Sequence, residues 1–112
     1  AWKRSLISLS ISKELSLLGL AAKAGRVVSG EFATEKAVKA GKARLVLVAG
    51  DASDNSKKKF SDMCTYYKVP LYVVGTKEEL GGAIGKDYRA SLGVTDDNFA
   101  VAMKKKLEQM GK

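Results

Sequence analysis

The run Ala43-Arg44-Leu45-Val46-Leu47-Val48-Ala49-Gly50 most limits the folds open to this chain. It has the length of a strand and is apolar almost throughout, without the alternation of a half-exposed strand. Such a run implies a strand covered on both faces. Cover on both faces calls for helices on both sides, and the flanking sequence supplies helical patterns. In residues 12–26, Leu15, Leu18 and Ala22 share one face, widened by Leu17 and Ala21. Ser12 is placed to cap that helix and Gly25 to close it. Arg26-Val27-Val28 reads as a short strand. A second helix follows over about Glu31–Ala40, with Ala33, Ala37 and Ala40 as its apolar side, Val38 at the margin and Gly41 as its stop.

The second half repeats the alternation. Residues 55–68 set Phe60, Met63, Cys64 and Tyr67 on one helical face, the cleanest amphipathic pattern in the chain. Residues 69–75 read as another buried strand, with Pro70 tolerated at its start. Thr76 and Glu79 have capping-box spacing and open a short helix. Lys86–Ser91 is a polar loop and residues 92–95 are the last strand. A final helix carries Phe99, Met103, Leu107 and Met110 on one side, with acids at its positive end. Strict alternation of helix and strand implies an α/β/α sandwich around a central sheet. The 112 residues fit one domain over 12–112, preceded by a tail over 1–11. That tail is basic at its tip and broken by serines, unlike a signal peptide.

Several function classes are poorly served by these residues. Histidine is absent, which removes the commonest general base and metal ligand. The lone Cys64 has no partner for an internal disulfide, which points to a reducing cytoplasm, and its apolar helix face suits a small buried hydrophobe. No GxGxxG follows a strand. Residues 82–86 (GAIGK) miss phosphate-loop spacing, and Asp87 stands where Ser or Thr is required. The acid pairs Asp51/Asp54, Glu78/Glu79 and Asp96/Asp97 fall at helix starts, where capping accounts for them. No nucleophile–base pair is offered. The expectation is a protein without catalysis, cofactor, metal or small-molecule substrate. No run approaches the roughly 18 apolar residues of a membrane span.

A binding role fits the charge. Lys and Arg number 20 against 12 acids, a net charge of +8, and six of those eight charges fall in the first 44 residues. Such asymmetry suits a polyanion-facing edge. On the second helix, Phe32, Lys36 and Lys39 share a face turned away from the alanines. An aromatic ring among lysines can stack a base while the ammonium groups meet phosphates. The other reading of Phe32 is a staple-like contact folded over the start of its helix. The two KKK runs, 57–59 and 104–106, spread around their helices and read first as solvated faces.

The order of motifs adds a resemblance. Residues 17–53 (LLGLAAKAGRVVSGEFATEKAVKAGKARLVLVAGDAS), 64–86 (CTYYKVPLYVVGTKEELGGAIGK) and 89–96 (RASLGVTD) resemble the kink-turn-binding ribosomal protein family, of archaeal seven-Ae and eukaryotic thirty-e type, in its bacterial YlxQ-like branch. The resemblance implies a three-layer α/β/α fold with a four-stranded mixed sheet. It implies a structured RNA partner, ribosomal or other, with the ribosomal subunit among the expected assemblies. It assigns RNA contact to three segments: Ser29–Lys36, Asp51-Ala52 and Lys86–Ser91. Within and around them the candidate RNA-binding residues are Arg26, Gly30, Glu31, Phe32, Lys36, Lys39, Asp51, Lys86, Arg89 and Ala90. Gly30 matches the glycine that opens the helix, Lys36 a basic contact, Asp51 an acid near extruded bases, and Arg89-Ala90 the final recognition loop. The chain departs from the family at one place. Where RNA-binding members carry Asn-Glu to read G·A pair edges, this chain has Phe32 and Ala33, whose side chains form no hydrogen bonds. RNA binding by stacking, and a protein-interaction module that has lost RNA, both follow from that exchange.

Overall fold

A computed structural model describes residues 16–110. In chain order they form helix α1 (16–23), strand β1 (Val27–Ser29), helix α2 (Glu31–Lys39), strand β2 (Leu45–Val48), helix α3 (Asp54–Tyr67), strand β3 (Leu71–Val73), helix α4 (Lys77–Ala83), strand β4 (Ser91–Val94) and helix α5 (Asp97–Met110). The expected tail over 1–11, the Ser12 cap, Leu15 and the Met110 side chain lie outside the described residues.

The sheet order is β1-β4-β2-β3. β4 runs antiparallel to both β1 and β2, and β2 runs parallel to β3, so the sheet is mixed. All four residues of β2 are buried, as an apolar run without alternation requires. Helices α2 and α3 pack against each other on one face of the sheet, while α1, α4 and α5 cover the other. This is the α/β/α sandwich expected from the alternation of elements. Phe60 on α3, Leu80 on α4 and Met103 on α5 are fully buried and anchor their helices to the core. Truncating a ring such as that of Phe60 costs about 3–5 kcal/mol.

Four details differ from the sequence reading. The buried side of α2 is Thr34, Ala37 and Val38; Ala33 is half-buried and Ala40 exposed. Val38 has more apolar area to hide than an alanine, so the helix rolls to seat it. On α3, Phe60 and Cys64 are buried, but Met63 is half-buried and Tyr67 keeps 40% of its surface exposed. Tyr67 is the last helical residue and stands at the end of the sheet. Strand β3 lies at an edge, so Leu71 and Tyr72 are only half-buried. On α5, Ala100 joins Met103 and Leu107 in the core, while Phe99 is half-buried.

The helix starts are built as their residues dictate. Ser53 caps α3 by accepting the Ser56 N–H at 3.1 Å. Asp96 caps α5 by accepting the Phe99 N–H at 3.0 Å. Thr76 and Glu79 form the full capping box of α4. Asp96 and Glu79 are thus spent on helix starts. Among the described residues, no group of three or more His, Cys, Asp or Glu could hold a metal ion.

Candidate functional site

Strand register brings three distant segments to one end of the sheet. Ser29 lies opposite Leu92, and Val48 lies opposite both Ser91 and Val73. The exits of β1, β2 and β3 therefore meet the start of β4. Backbone bonds join the segments: Gly30 N–H donates to the Ser91 carbonyl at 3.0 Å, and Ala49 N–H to that of Ala90 at 2.8 Å. Arg89 Nε donates to Ser29 Oγ at 3.3 Å, tying the last loop to the first corner.

The β1–α2 corner turns at Gly30, with φ 92° and ψ 158°. That region of backbone space is essentially reserved for glycine. Gly30 brings no side chain to the first helical turn, and no side chain caps α2. Its N–H donors are left to solvent or to a ligand. Phe32 follows with 80% of its surface exposed, which excludes the staple-like contact. It lines a shallow surface depression of about 440 Å³ together with Glu35, Lys36, Lys39 and Ala40.

The cations on this face are not equivalent. Glu35 accepts from Lys39 at 2.8 Å and also pairs with Lys59 of α3 at 2.6 Å. These hydrogen bonds hold its carboxyl down at about 2 and raise the Lys59 ammonium. Glu31 is turned aside to accept from Ser56 Oγ at 3.2 Å. Together these contacts clip α2 to α3. Lys36 is exposed on the same face and takes no part in the clip. Lys39 lies at the last helical residue, roughly 12 Å along the axis from Glu31.

On the neighbouring loops, Asp51 Oδ1 accepts the Lys77 N–H at 2.9 Å, so one carboxylate oxygen is committed to the start of α4. Arg89 N–H donates to the Lys77 carbonyl at 3.0 Å, and its Nη1 to the Tyr88 carbonyl at 2.6 Å. Ala90 is half-buried against the core, and Lys86 is exposed. Lys86 N–H closes α4 by donating to Gly81. Gly81 makes this possible, because a Cβ there would stand 2.7 Å from the Asp87 carbonyl oxygen.

The chain matches the ribosomal protein L7Ae/L30e/S12e/Gadd45 family over residues 13–104. It belongs to that family. It is 49% identical over 84 residues to the RNA-binding protein YlxQ of Bacillus subtilis (strain 168), covering 75% of this chain and 84% of that one. A Bacillus halodurans protein of unknown function superposes with a TM-score of 0.84 at 42% identity, over 87% of this chain and 98% of that one. The Giardia lamblia 15.5kD RNA binding protein superposes with a TM-score of 0.76 at 25% identity, over 97% of this chain and 92% of that one.

Within this L7Ae-type frame, Lys86 follows the far end of α4, and eight of the other nine candidate residues lie at the converged sheet end or along α2. Arg26 does not. Its carbonyl accepts from Thr95 N–H at the opposite end, because β1 carries the chain across the sheet between Arg26 and Gly30. One exposed aromatic of the Lys86–Ser91 segment was not singled out among the candidate residues. Tyr88, 62% exposed, stands between Lys86 and Arg89. Its signal was an aromatic inside an otherwise polar loop.

Proposed function

We propose that this chain is a non-catalytic, cytoplasmic RNA-binding protein, and that the converged sheet end with the outer face of α2 is its RNA surface. The observation that carries the reading is the meeting of an uncapped helix start, a ring held off the core and a basic face at that end. Lys36 and Lys86 meet phosphates. The free N–H groups of α2 donate to a phosphate or to an acceptor on a base edge. Phe32 stacks an unpaired base, in place of the edge hydrogen bonds that the family draws from Asn-Glu. Arg89 is steered toward the α2 corner by Ser29. Asp51 keeps one oxygen for a base or sugar while the other holds α4. Similarity to relatives described as RNA-binding supports the class of partner, and structured RNA, ribosomal or other, is the substrate this surface suits. Buried Cys64, its thiol pushed up to about 11 by desolvation, serves packing.

Binding to a kink-turn RNA and to a plain duplex, each across a salt series, tests this. Steep salt dependence with preference for the bent RNA is the expected outcome. Equal affinity for both would mean that selection for the bend is gone. No salt-sensitive binding to any structured RNA would overturn the reading. It would leave Phe32 as an anchor for a protein partner.

A further inference from the structure

The opposite end of the sheet carries a second aromatic and basic surface that the RNA reading above does not use. Helix α3 ends in Tyr66 and Tyr67, packed edge to face with ring centroids 4.9 Å apart and planes at 78°. Tyr66 is 78% exposed, a degree that packing does not call for. Tyr67 borders a depression of about 180 Å³, and Tyr66 stands beside Tyr67 without lining it. Val38, Val69 and Pro70 contribute its apolar lining; Tyr67, Arg44 and Lys68 contribute aromatic and basic groups. Lys42 is exposed in the same α2–β2 loop, and Arg26 stands at the same sheet end. No acidic residue lines the depression. Asp97, which approaches it, is held by Arg44 Nε at 3.2 Å.

The backbone adds an independent sign. Lys68 adopts the left-handed conformation, with φ 59° and ψ 44°, at the C-cap of α3. It is the one non-glycine residue at positive φ among those described. Glycine is the usual residue at such a helix end, and a lysine there is strained. The strain sets a cation beside Tyr67 at the rim of the depression.

We propose that this end of the molecule is a second RNA contact, which takes an unpaired nucleotide. Its base stacks on the Tyr66–Tyr67 pair, and its phosphates meet Lys68, Lys42 and the guanidinium of Arg44. Stacking on tyrosine is indifferent to base identity, and the excess of Lys68, Lys42 and Arg44 over the single Asp97 carboxylate favours a polyanion. The two surfaces lie at opposite ends of the strands, so one RNA touching both would pass across the α2–α3 face.

Amide shifts of the 112-residue chain, titrated with a single-stranded oligouridylate of about eight nucleotides, test the assignment. The expected result is salt-sensitive shifts at Gly41, Lys42, Tyr66, Tyr67 and Lys68, retained in a Phe32→Ala/Lys36→Ala double variant that disables the first surface. Tyr66→Ala should weaken this binding about tenfold. Lys68→Gly should weaken it while raising Tm, because the strained residue is replaced by one that accepts the conformation. That combination separates lost contact from lost fold. Shifts confined to residues 30–39 and 86–91 would overturn the proposal, as would unchanged affinity in both variants at this end. Equal binding of polyglutamate here would also overturn it, in favour of an acidic protein partner. In each of those cases kink-turn binding by the first surface would be unaffected.

Discussion

Helices α2 and α4 begin at the same end of the sheet and are finished in opposite ways. At α4, Thr76 and Glu79 exchange hydrogen bonds at 3.1 and 2.9 Å, and Asp51 accepts the Lys77 N–H from the neighbouring loop. At α2, Gly30 offers no side chain, Glu31 is turned sideways to Ser56, and Phe32 projects into solvent. A capping side chain stabilises a helix by about 1 kcal/mol. The chain takes that gain at α4 and forgoes it at α2. What it keeps at α2 is a set of unspent donors and the positive end of a helix dipole, both suited to an anion. The same edge thus holds a closed start that stiffens its surroundings and an open start suited to an anionic ligand.

Substitutions in and around α4 should cost stability, and those at the open start of α2 should cost affinity. The largest effect belongs to Gly81→Ala. Its Cβ would press on the Asp87 carbonyl at 2.7 Å, and a backbone group rather than a flexible side chain would have to give. The loss should reach about 3 kcal/mol in denaturant unfolding, the upper part of the range for overpacking. Phe32→Ala comes next and inverts the pattern. RNA affinity should fall by about 2 kcal/mol, while unfolding moves by less than about 0.5 kcal/mol, because the ring supports nothing beneath it. Comparable loss of stability would return Phe32 to the fold and undo the contrast. Asp51→Ala is the intermediate case, with about 1 kcal/mol lost as α4 loses a cap from the neighbouring loop. A drop in RNA affinity larger than that loss would mean that its second oxygen meets RNA.

This division explains which parts of the molecule could be read from sequence. Burial leaves a periodic record. The β2 run, the Phe60–Cys64 face of α3 and the Thr76–Glu79 capping box were legible because each answers to its own neighbours in the chain. Rolling of α2 onto Val38 was not, since alanines define a face weakly and a larger neighbour decides the seat. The candidate surface was legible mainly through family resemblance, because no local rule says that residues 30, 51 and 89 converge; that follows from strand order. Arg26 shows the failure in miniature. It is near Gly30 in sequence, and a three-residue strand carries it to the far end. Glu35 is another instance. Helical spacing set it beside Lys39, but its bond to Lys59 depends on α3 packing alongside.

Within α2 itself the cations divide in the same way. Lys36 stands outside the Glu35 clip, so Lys36→Ala should remove one phosphate contact. The slope of log affinity against log salt should flatten by about one unit, with little change in preference between RNAs. Lys39→Ala should flatten it less, since that ammonium already has a carboxylate. An equal effect would mean that RNA draws Lys39 away from Glu35. The smallest effect is that of pH on the clip. Glu35 is held at about 2 by Lys39 and Lys59, below its ordinary value of 4.5. A carboxyl depressed in the folded state stabilises fully above its unfolded pKa, and that contribution fades as pH falls through the folded one. Wild type should therefore melt above Glu35→Gln at neutral pH, with the gap closing between about 4.5 and 2. Other carboxyls titrate in both proteins and cancel in the difference. A gap that stays constant down to pH 2 would mean that the Glu35 charge does not help hold α2 to α3, and that its ion pairs serve only to arrange charge on the outer face.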